Sequence, residues 1–422
     1  LADGRYLHWD ELRHRKPPEG LTSEEWWWGI RHRRRGELQR IDGMAELYGV
    51  NFGFVALPAV QRGLHEFDRV NVGEVVLSAL GSKDAQTEYR VRQLIEEAIS
   101  SSEIEGARPT TREAARQLLR EKREPHTRDE RMILNNLRAM QRLRELYLDK
   151  QPLTVEHLLE LHRILGEGAL DVEGAEGTFR TRDHSVTVAD VEGVVWHTPP
   201  SAEGLEQRVQ RLLAFANGEV DPSEPHQVFL HPVARAIIAH FWLGYEHPFR
   251  DGNGRMARAL YYWCMLHQGY EVAEFLSISG PIDRSPKAYY MAFAHTEADD
   301  GDLTYFLLHQ LQVMKTALDE LLTHLRVRAS SMRERAEQLA VFKDLKYRQR
   351  SFLEFALRHP TQEQTIQGYA TSFGVAYLTA RSDLQDLEQR GLLTQRKAGT
   401  QKRYLPAPRL LKPGAKAQRK RR

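Results

Sequence analysis

Two runs of helical periodicity are cut by one short loop, and that cut constrains the fold more than any other stretch of the chain. Ile237, Ile238 and Phe241 recur on one face of a pattern running from Val233 to Tyr245; beyond the loop, Ala257, Leu260, Tyr261 and Cys264 recur at the same spacing. Pro248 bars the first helix from continuing. Gly252, Asn253 and Gly254 are residues that accept left-handed backbone angles, from which successive N–H groups converge on one point. The expected unit is a tight helix–loop–helix with a backbone cradle in its turn. The unpaired first-turn N–H groups and the positive dipole end of the second helix act on the same spot, which favours phosphate.

The side chains around this cradle carry the chemistry. Arg255 and Arg258 sit three apart in the first turn and lean back toward the helix start, so both reach a bound anion. Two guanidiniums and a backbone cradle suit a polyphosphate better than a single carboxylate. Asp251 is repelled by phosphate unless a cation lies between them. Magnesium resolves the conflict, because it binds through one or two carboxylates plus substrate phosphate oxygens. His247 closes the upstream helix, and a neutral imidazole there can take a proton from an attacking hydroxyl. From its residues alone, the loop predicts nucleotide phosphate chemistry with a histidine base.

Residues 247–258, His-Pro-Phe-Arg-Asp-Gly-Asn-Gly-Arg-Met-Ala-Arg, resemble without departure the HPFx[DE]GNGRxxR signature of the Fic (Fido) family. The resemblance implies a protein adenylyltransferase that moves AMP from ATP to a Ser, Thr or Tyr hydroxyl of a target protein. It implies His247 as general base, Asp251 as the magnesium ligand, and Gly252 and Gly254 as the phosphate cradle. Arg255 and Arg258 would bind the outer phosphates and Asn253 would contact the nucleotide. The likeness extends to 153–166, with Leu158, Leu161 and Leu165 at helical spacing, and to Gly177-Thr178-Phe179-Arg180 followed by 186–196. That second stretch is similar to the family's β-hairpin flap, in which Val186, Thr187 and Val188 would clamp the target's main chain by strand addition. Tyr289 and Tyr290 fall in a segment similar to the one beside the adenine, and core packing is an equal alternative for both.

A second helix is expected upstream, over 86–106. Val91, Leu94, Ala98 and Ser101 form its inward stripe, and Gly106 stands where a left-handed C-terminal cap belongs. One more turn of the stripe lands on Glu105, at a helix end whose dipole disfavours negative charge, so a cationic partner is expected. Ser101, Glu105 and Gly106 also fit the family's inhibitory pattern [ST]xxxE[GN]. The resemblance implies that Glu105 pairs with Arg258 and restrains the enzyme.

The flanks are read more coarsely. Residues 1–80 are a helical extension rich in tryptophan and arginine, with the tryptophans expected against the core and the arginines on a solvated face. The core with its inhibitory helix takes 81–310, and a charged helical linker takes 311–340. Between 341 and 408, three helical patterns and two strand-like runs around Ala398-Gly399 resemble a winged helix-turn-helix domain. Tyr377, Thr379 and Arg381 would face a DNA groove, and Lys397, Lys402 and Arg403 phosphates; Asp383, Asp386 and Glu388 weigh against DNA and leave a partner or homodimer module open. The tail 409–422 is basic and expected to be disordered.

The fold class expected is therefore mainly α, a Fic helical core with a small β-hairpin flap and a C-terminal winged helix-turn-helix. Lys and Arg number 60 against 58 acidic residues, so the whole molecule has no strong field for nucleic acid or membrane. A single cysteine, Cys264, forbids an intrachain disulfide and suits a reducing cytoplasm, and no 18-residue apolar run suggests a membrane span. Two other functions remain open at this point: removal of AMP by the same site, and a DNA-binding regulator whose Fic core senses nucleotide. UTP is not excluded as donor.

Overall fold

The computed structural model describes residues 4–408 apart from 42, 45, 48–49, 70–79, 81, 109–110, 122, 190–194, 220–228, 339–343 and 399–400. The basic tail, the turn of the expected flap and Gly399 of the C-terminal hairpin thus lie outside the described residues. The architecture is mainly helical, with short antiparallel strand pairs. Its centre is the expected pair of helices, Pro232–Glu246 and Asn253–His267, which pack on each other and bury Ile237, Phe241, Trp242, Leu260 and Trp263. Both helices are apolar nearly all round because further helices enclose them. Lys83–Ile104, Arg128–Leu148, Val155–Gly166 and Leu205–Asn217 complete this enclosure.

The upstream helix follows the sequence closely. Ser82 caps its start by accepting from the Ala85 N–H, and Gly106 takes φ +95° just past its end. Leu94, Ala98 and Ser101 are buried. By contrast, the stretch expected as a linker from 311 continues a helix that begins at Thr304 and runs to Gln338. Leu307, Leu311, Met314, Leu318, Leu321 and Leu325 alternate at spacings of four and three and are buried in the main core. The charge noted in the sequence sits on the other face of a helix that belongs to the core through Leu325.

The N-terminal extension reverses its expected docking. Trp28 is exposed and stacks on His32, whereas the arginines make the attachment. Arg34 is buried, donates to the Leu7 carbonyl and the Tyr305 hydroxyl, and lies 3.6 Å over the Tyr6 ring. Arg31 pairs with Asp299 and Asp300. A guanidinium can satisfy several acceptors in one plane while lying flat on a ring, which a solvated helix face does not require. Trp26 and Trp27 pack with Leu7 and Leu12 in a separate small cluster.

Tyr347–Arg358, Ile366–Phe373 and Tyr377–Gln389 form a unit with its own core of Phe352, Leu353, Tyr369, Leu384, Leu387 and Tyr404. A three-stranded antiparallel sheet accompanies them, with Gln401–Pro406 between Gln364–Thr365 and Leu393–Ala398. Asp383, read as part of an acidic surface, is buried and takes Lys346, Arg348 and the Tyr369 hydroxyl as partners. The unit rests on the first turns of the upstream helix, where Arg348 meets Asp84 and both Tyr347 and Ser351 donate to Glu88. Among the described residues, no helix is long and apolar enough to cross a membrane.

Candidate active site

His247 ends the helix Pro232–Glu246 in a left-handed conformation, φ 47° and ψ 57°. A non-glycine residue holds such angles only when its surroundings fix them. Arg180 does so: its Nε donates to the His247 carbonyl at 2.8 Å and its Nη2 to the carbonyls of Glu246 and Pro200, while its backbone N–H donates to the Pro248 carbonyl. Sequence reasoning quoted Arg180 only as part of the flap likeness. Its contacts lie 67 residues away in the chain, beyond any local pattern.

The imidazole's tautomer follows from its partner. Nδ1 of His247 lies 3.2 Å from the Gly244 carbonyl, which can only accept, so the neutral ring carries its proton on Nδ1 and leaves the Nε2 lone pair available. Burial pulls the pKa down to about 4, helped by His197 and Arg180 and opposed by the Gly244 bond and Asp251. His247 is thus a neutral base throughout the physiological range. His197, whose ring centroid lies 6.3 Å away, bonds Glu297 through Nδ1 and the Tyr245 carbonyl through Nε2.

The loop that follows is pinned by side chains. Asn253 closes the loop on itself, its Oδ1 accepting from Phe249 N at 2.9 Å and its Nδ2 donating to Phe249 O at 2.8 Å. Phe249 stacks on His162 with centroids 3.7 Å apart. His162 accepts the Gly177 N–H on Nδ1, so its Nε2–H donates to the Asp251 carbonyl at 2.9 Å. Burial lowers this ring as well, to about 4, and keeps it neutral.

Only one of the three expected left-handed residues takes that conformation. Gly252 has φ +81° and precedes the first turn, whereas Asn253 and Gly254 are already helical. The cradle is therefore chiefly a helix N-terminus, with free first-turn N–H groups. Gly254 leaves space that the Glu105 carboxylate fills in its present rotamer, since a Cβ there would clash with Glu105 Oε1. Asp251 accepts from Gly252 N through Oδ1 and from Asp171 N at 2.8 Å through Oδ2. Among the described residues, it belongs to no group of three metal-ligating side chains.

Arg258 is buried and faces the upstream helix. Its Nε donates to Ser101 Oγ at 2.8 Å, and its Nη2 to the Ser101 carbonyl at 2.8 Å and to Glu105 Oε1 at 3.0 Å. Burial is the largest influence and opposes its charge, yet Glu105 together with the Tyr289 and Tyr290 hydroxyls leaves its pKa raised. Among the described residues, the buried Arg258 Nη1 and Arg255 Nε have no hydrogen-bond partner, which leaves cationic donors at the cradle. Tyr289 is a core residue, buried with its hydroxyl on His240 at 2.8 Å; Tyr290 is only partly buried, and its hydroxyl pKa is raised by burial and then by Glu105.

The expected flap strand starts later than its sequence pattern. Val188 and Ala189 pair with His197 and Val195, while Val186 and Thr187 precede the ladder. Alternation alone marks residues that suit a strand without saying where a partner begins.

The class these features define is a helical domain with a histidine at the mouth of a helix–loop–helix anion cradle. Residues 152–265 match the family profile described as Fic/DOC family, so this part of the chain is similar to a Fic domain. Relatives named Protein adenylyltransferase Fic, from Drosophila ananassae and Drosophila melanogaster, are each 29% identical over 181 residues, 43% of this chain and 32% of theirs. The chain thus spans about a third of the length of these relatives. The crystal structure of a Fic family protein from Desulfovibrio desulfuricans G20 is similar in fold, with a TM-score of 0.51 and 20% identity over 87% of this chain and 99% of that one.

Proposed function

We propose that this protein transfers AMP from ATP to a side-chain hydroxyl of a target protein and that Glu105 restrains the reaction. The observation that carries the reading is the free Nε2 lone pair of a neutral His247 beside a helix N-terminus with unsatisfied arginine donors. His247 Nε2 takes the hydroxyl proton as the oxygen attacks the α-phosphorus. The bond from that phosphorus to the bridging oxygen breaks, and pyrophosphate leaves with the electron pair. Arg255, Arg258 and the first-turn N–H groups hold the departing charge, which is electrostatic stabilisation by groups already in position. Asp251 would hold a magnesium ion, which neutralises phosphate charge when bound.

In the described conformation Glu105 occupies Arg258 and sits against Gly254, where phosphate would lie. ATP must therefore displace or tolerate a carboxylate. Glu105→Gly is expected to raise magnesium-dependent labelling from α-labelled ATP by about tenfold or more, within the usual range of coupling between sites. His247→Ala in that background removes it. Equal labelling by wild type and Glu105→Gly overturns the restraint.

Two further readings have an observation each. The Glu105 carboxylate in the cradle is also positioned to orient water for AMP removal; Glu105→Gly would then abolish removal rather than enhance transfer. Burial of Asp383 takes one acid off the third C-terminal helix, while Tyr377, Leu378 and Arg381 stay exposed, which keeps DNA or protein binding by a winged helix in play. A gel shift with genomic fragments at stated salt distinguishes the two partners.

A further inference from the structure

A short helix, Arg112–Glu121, lies across the last turns of the upstream helix and buries Ala115, Leu118 and Leu119. Two arginines reach from it. Arg112 donates to Ser100 Oγ and lies 3.2 Å from Glu103 and 3.8 Å from Asp283. Arg116 grips Glu96 with two parallel bonds, Nε to Oε1 and Nη2 to Oε2. Their partners, Glu96, Ser100 and Glu103, lead along the upstream helix to Ser101 and Glu105, the two residues that engage Arg258.

A turn of the helix end that lifts Glu105 from Arg258 must break the Arg112 contacts, because Glu103 and Glu105 move together on one backbone. On its far side the short helix packs on Ile366–Phe373 of the C-terminal unit. Beside that contact lies a cavity of about 520 Å³, lined by Arg116, Arg120, Tyr89, Phe355 and Phe373. Across that space Arg120 approaches the Phe355 ring only to 6.0 Å. The short helix therefore joins the end of the upstream helix to the C-terminal unit, with open space beside that joint.

Resting on the reading of Glu105 as a restraint, we propose that Arg112 is a positioning residue for it: the arginine latches the end of the upstream helix in the register that keeps Glu105 on Arg258. The latch adds little to global stability, since the Arg112 side chain is 40% exposed. Its effect is local. Anything that displaces the short helix would release Glu105 without touching the site.

The test compares magnesium-dependent labelling from α-labelled ATP, by self-labelling and in lysate, for wild type, Glu105→Gly, Arg112→Ala and the double variant of the full chain. Arg112→Ala is expected to raise labelling about fivefold, the low end of ordinary coupling. Arg112→Lys is expected to fall between wild type and Arg112→Ala. The double variant should label no more than Glu105→Gly alone, a pattern that mere loss of packing would not produce. A thermal midpoint for Arg112→Ala within about 3 °C of wild type shows that folding is intact. If Glu105→Gly raises labelling and neither Arg112 variant does, the latch is wrong. If Glu105→Gly itself changes nothing, the restraint reading fails and takes the latch with it.

Discussion

The loop at 247–258 and the hairpin at 188–197 approach the same imidazole and are built in opposite ways. In the loop, a strained histidine, a self-closing asparagine and a ring stack are each fixed by hydrogen bonds or buried packing, and Phe249, Asn253, Arg255 and Arg258 are buried. The described hairpin ladder has only two paired positions on its first strand, and Val195 is 54% exposed. A short, open ladder is weakly stable alone and gains most from an added strand. Under the proposed function the difference separates tasks: the loop would be preorganised for phosphate chemistry, and the hairpin would offer main-chain groups to a partner.

Breaking the loop should cost most. His247→Ala is expected to lower labelling in the Glu105→Gly background by roughly 10²- to 10⁴-fold, the usual range for a general base. Residual labelling within a factor of a few would assign the proton elsewhere. Arg180→Ala should follow, at about 10²-fold, because it misplaces His247 without removing it. This variant should also melt earlier, since several carbonyls lose a buried donor. Unchanged activity with a lowered melting point would make Arg180 structural only.

The hairpin should respond differently. Val188→Pro is expected to weaken labelling of an added target by about tenfold, comparable to one or two main-chain hydrogen bonds, with the melting point nearly unchanged. A large loss of stability instead would mean the hairpin is as rigid as the loop.

The smallest effect sharpens the contrast through pH. His247 falls from an ordinary 6.5 to about 4 when folded, so kcat/KM of the derepressed enzyme should vary less than about twofold from pH 6 to 8 with respect to this group. A limb near 6.5 would place the ring in water. The same shift bears on stability. His247, His162, His8 and His309 all have folded values near 4, so the unfolded chain binds more protons below 6.5. Their stabilisation is complete above that pH and is lost as pH falls from 6.5 toward 4, which acid denaturation followed by circular dichroism can measure.

Local signals made the helix–loop–helix legible, because Pro248, the glycines and the 3.6-residue periodicity act within a few residues of one another. The Glu105 prediction also rested on a local fact, a carboxylate extending an apolar stripe at a helix end. Arg180 and His162 were not legible as anchors, since their partners lie 67 and 89 residues away. Asp383 misled for the same reason: residue type says charged, and only packing against Lys346, Arg348 and Tyr369 makes it internal. The arginines of the N-terminal helix were misassigned because a charge run looks alike whether it meets water or the carboxylates of Asp299 and Asp300.

By itself the sequence determined the residue types of the cradle, the place of its base and the presence of an acid upstream, because backbone angles and helix spacing are local properties. Tertiary structure alone decided which partners those residues meet. Glu105 meets Arg258 across 153 residues of chain, its carboxylate fills the space beside Gly254, and Asn253 turns inward because Phe249 offers it both a donor and an acceptor. Hydrogen bonds and close contacts form between groups that packing brings together, whatever their distance along the chain.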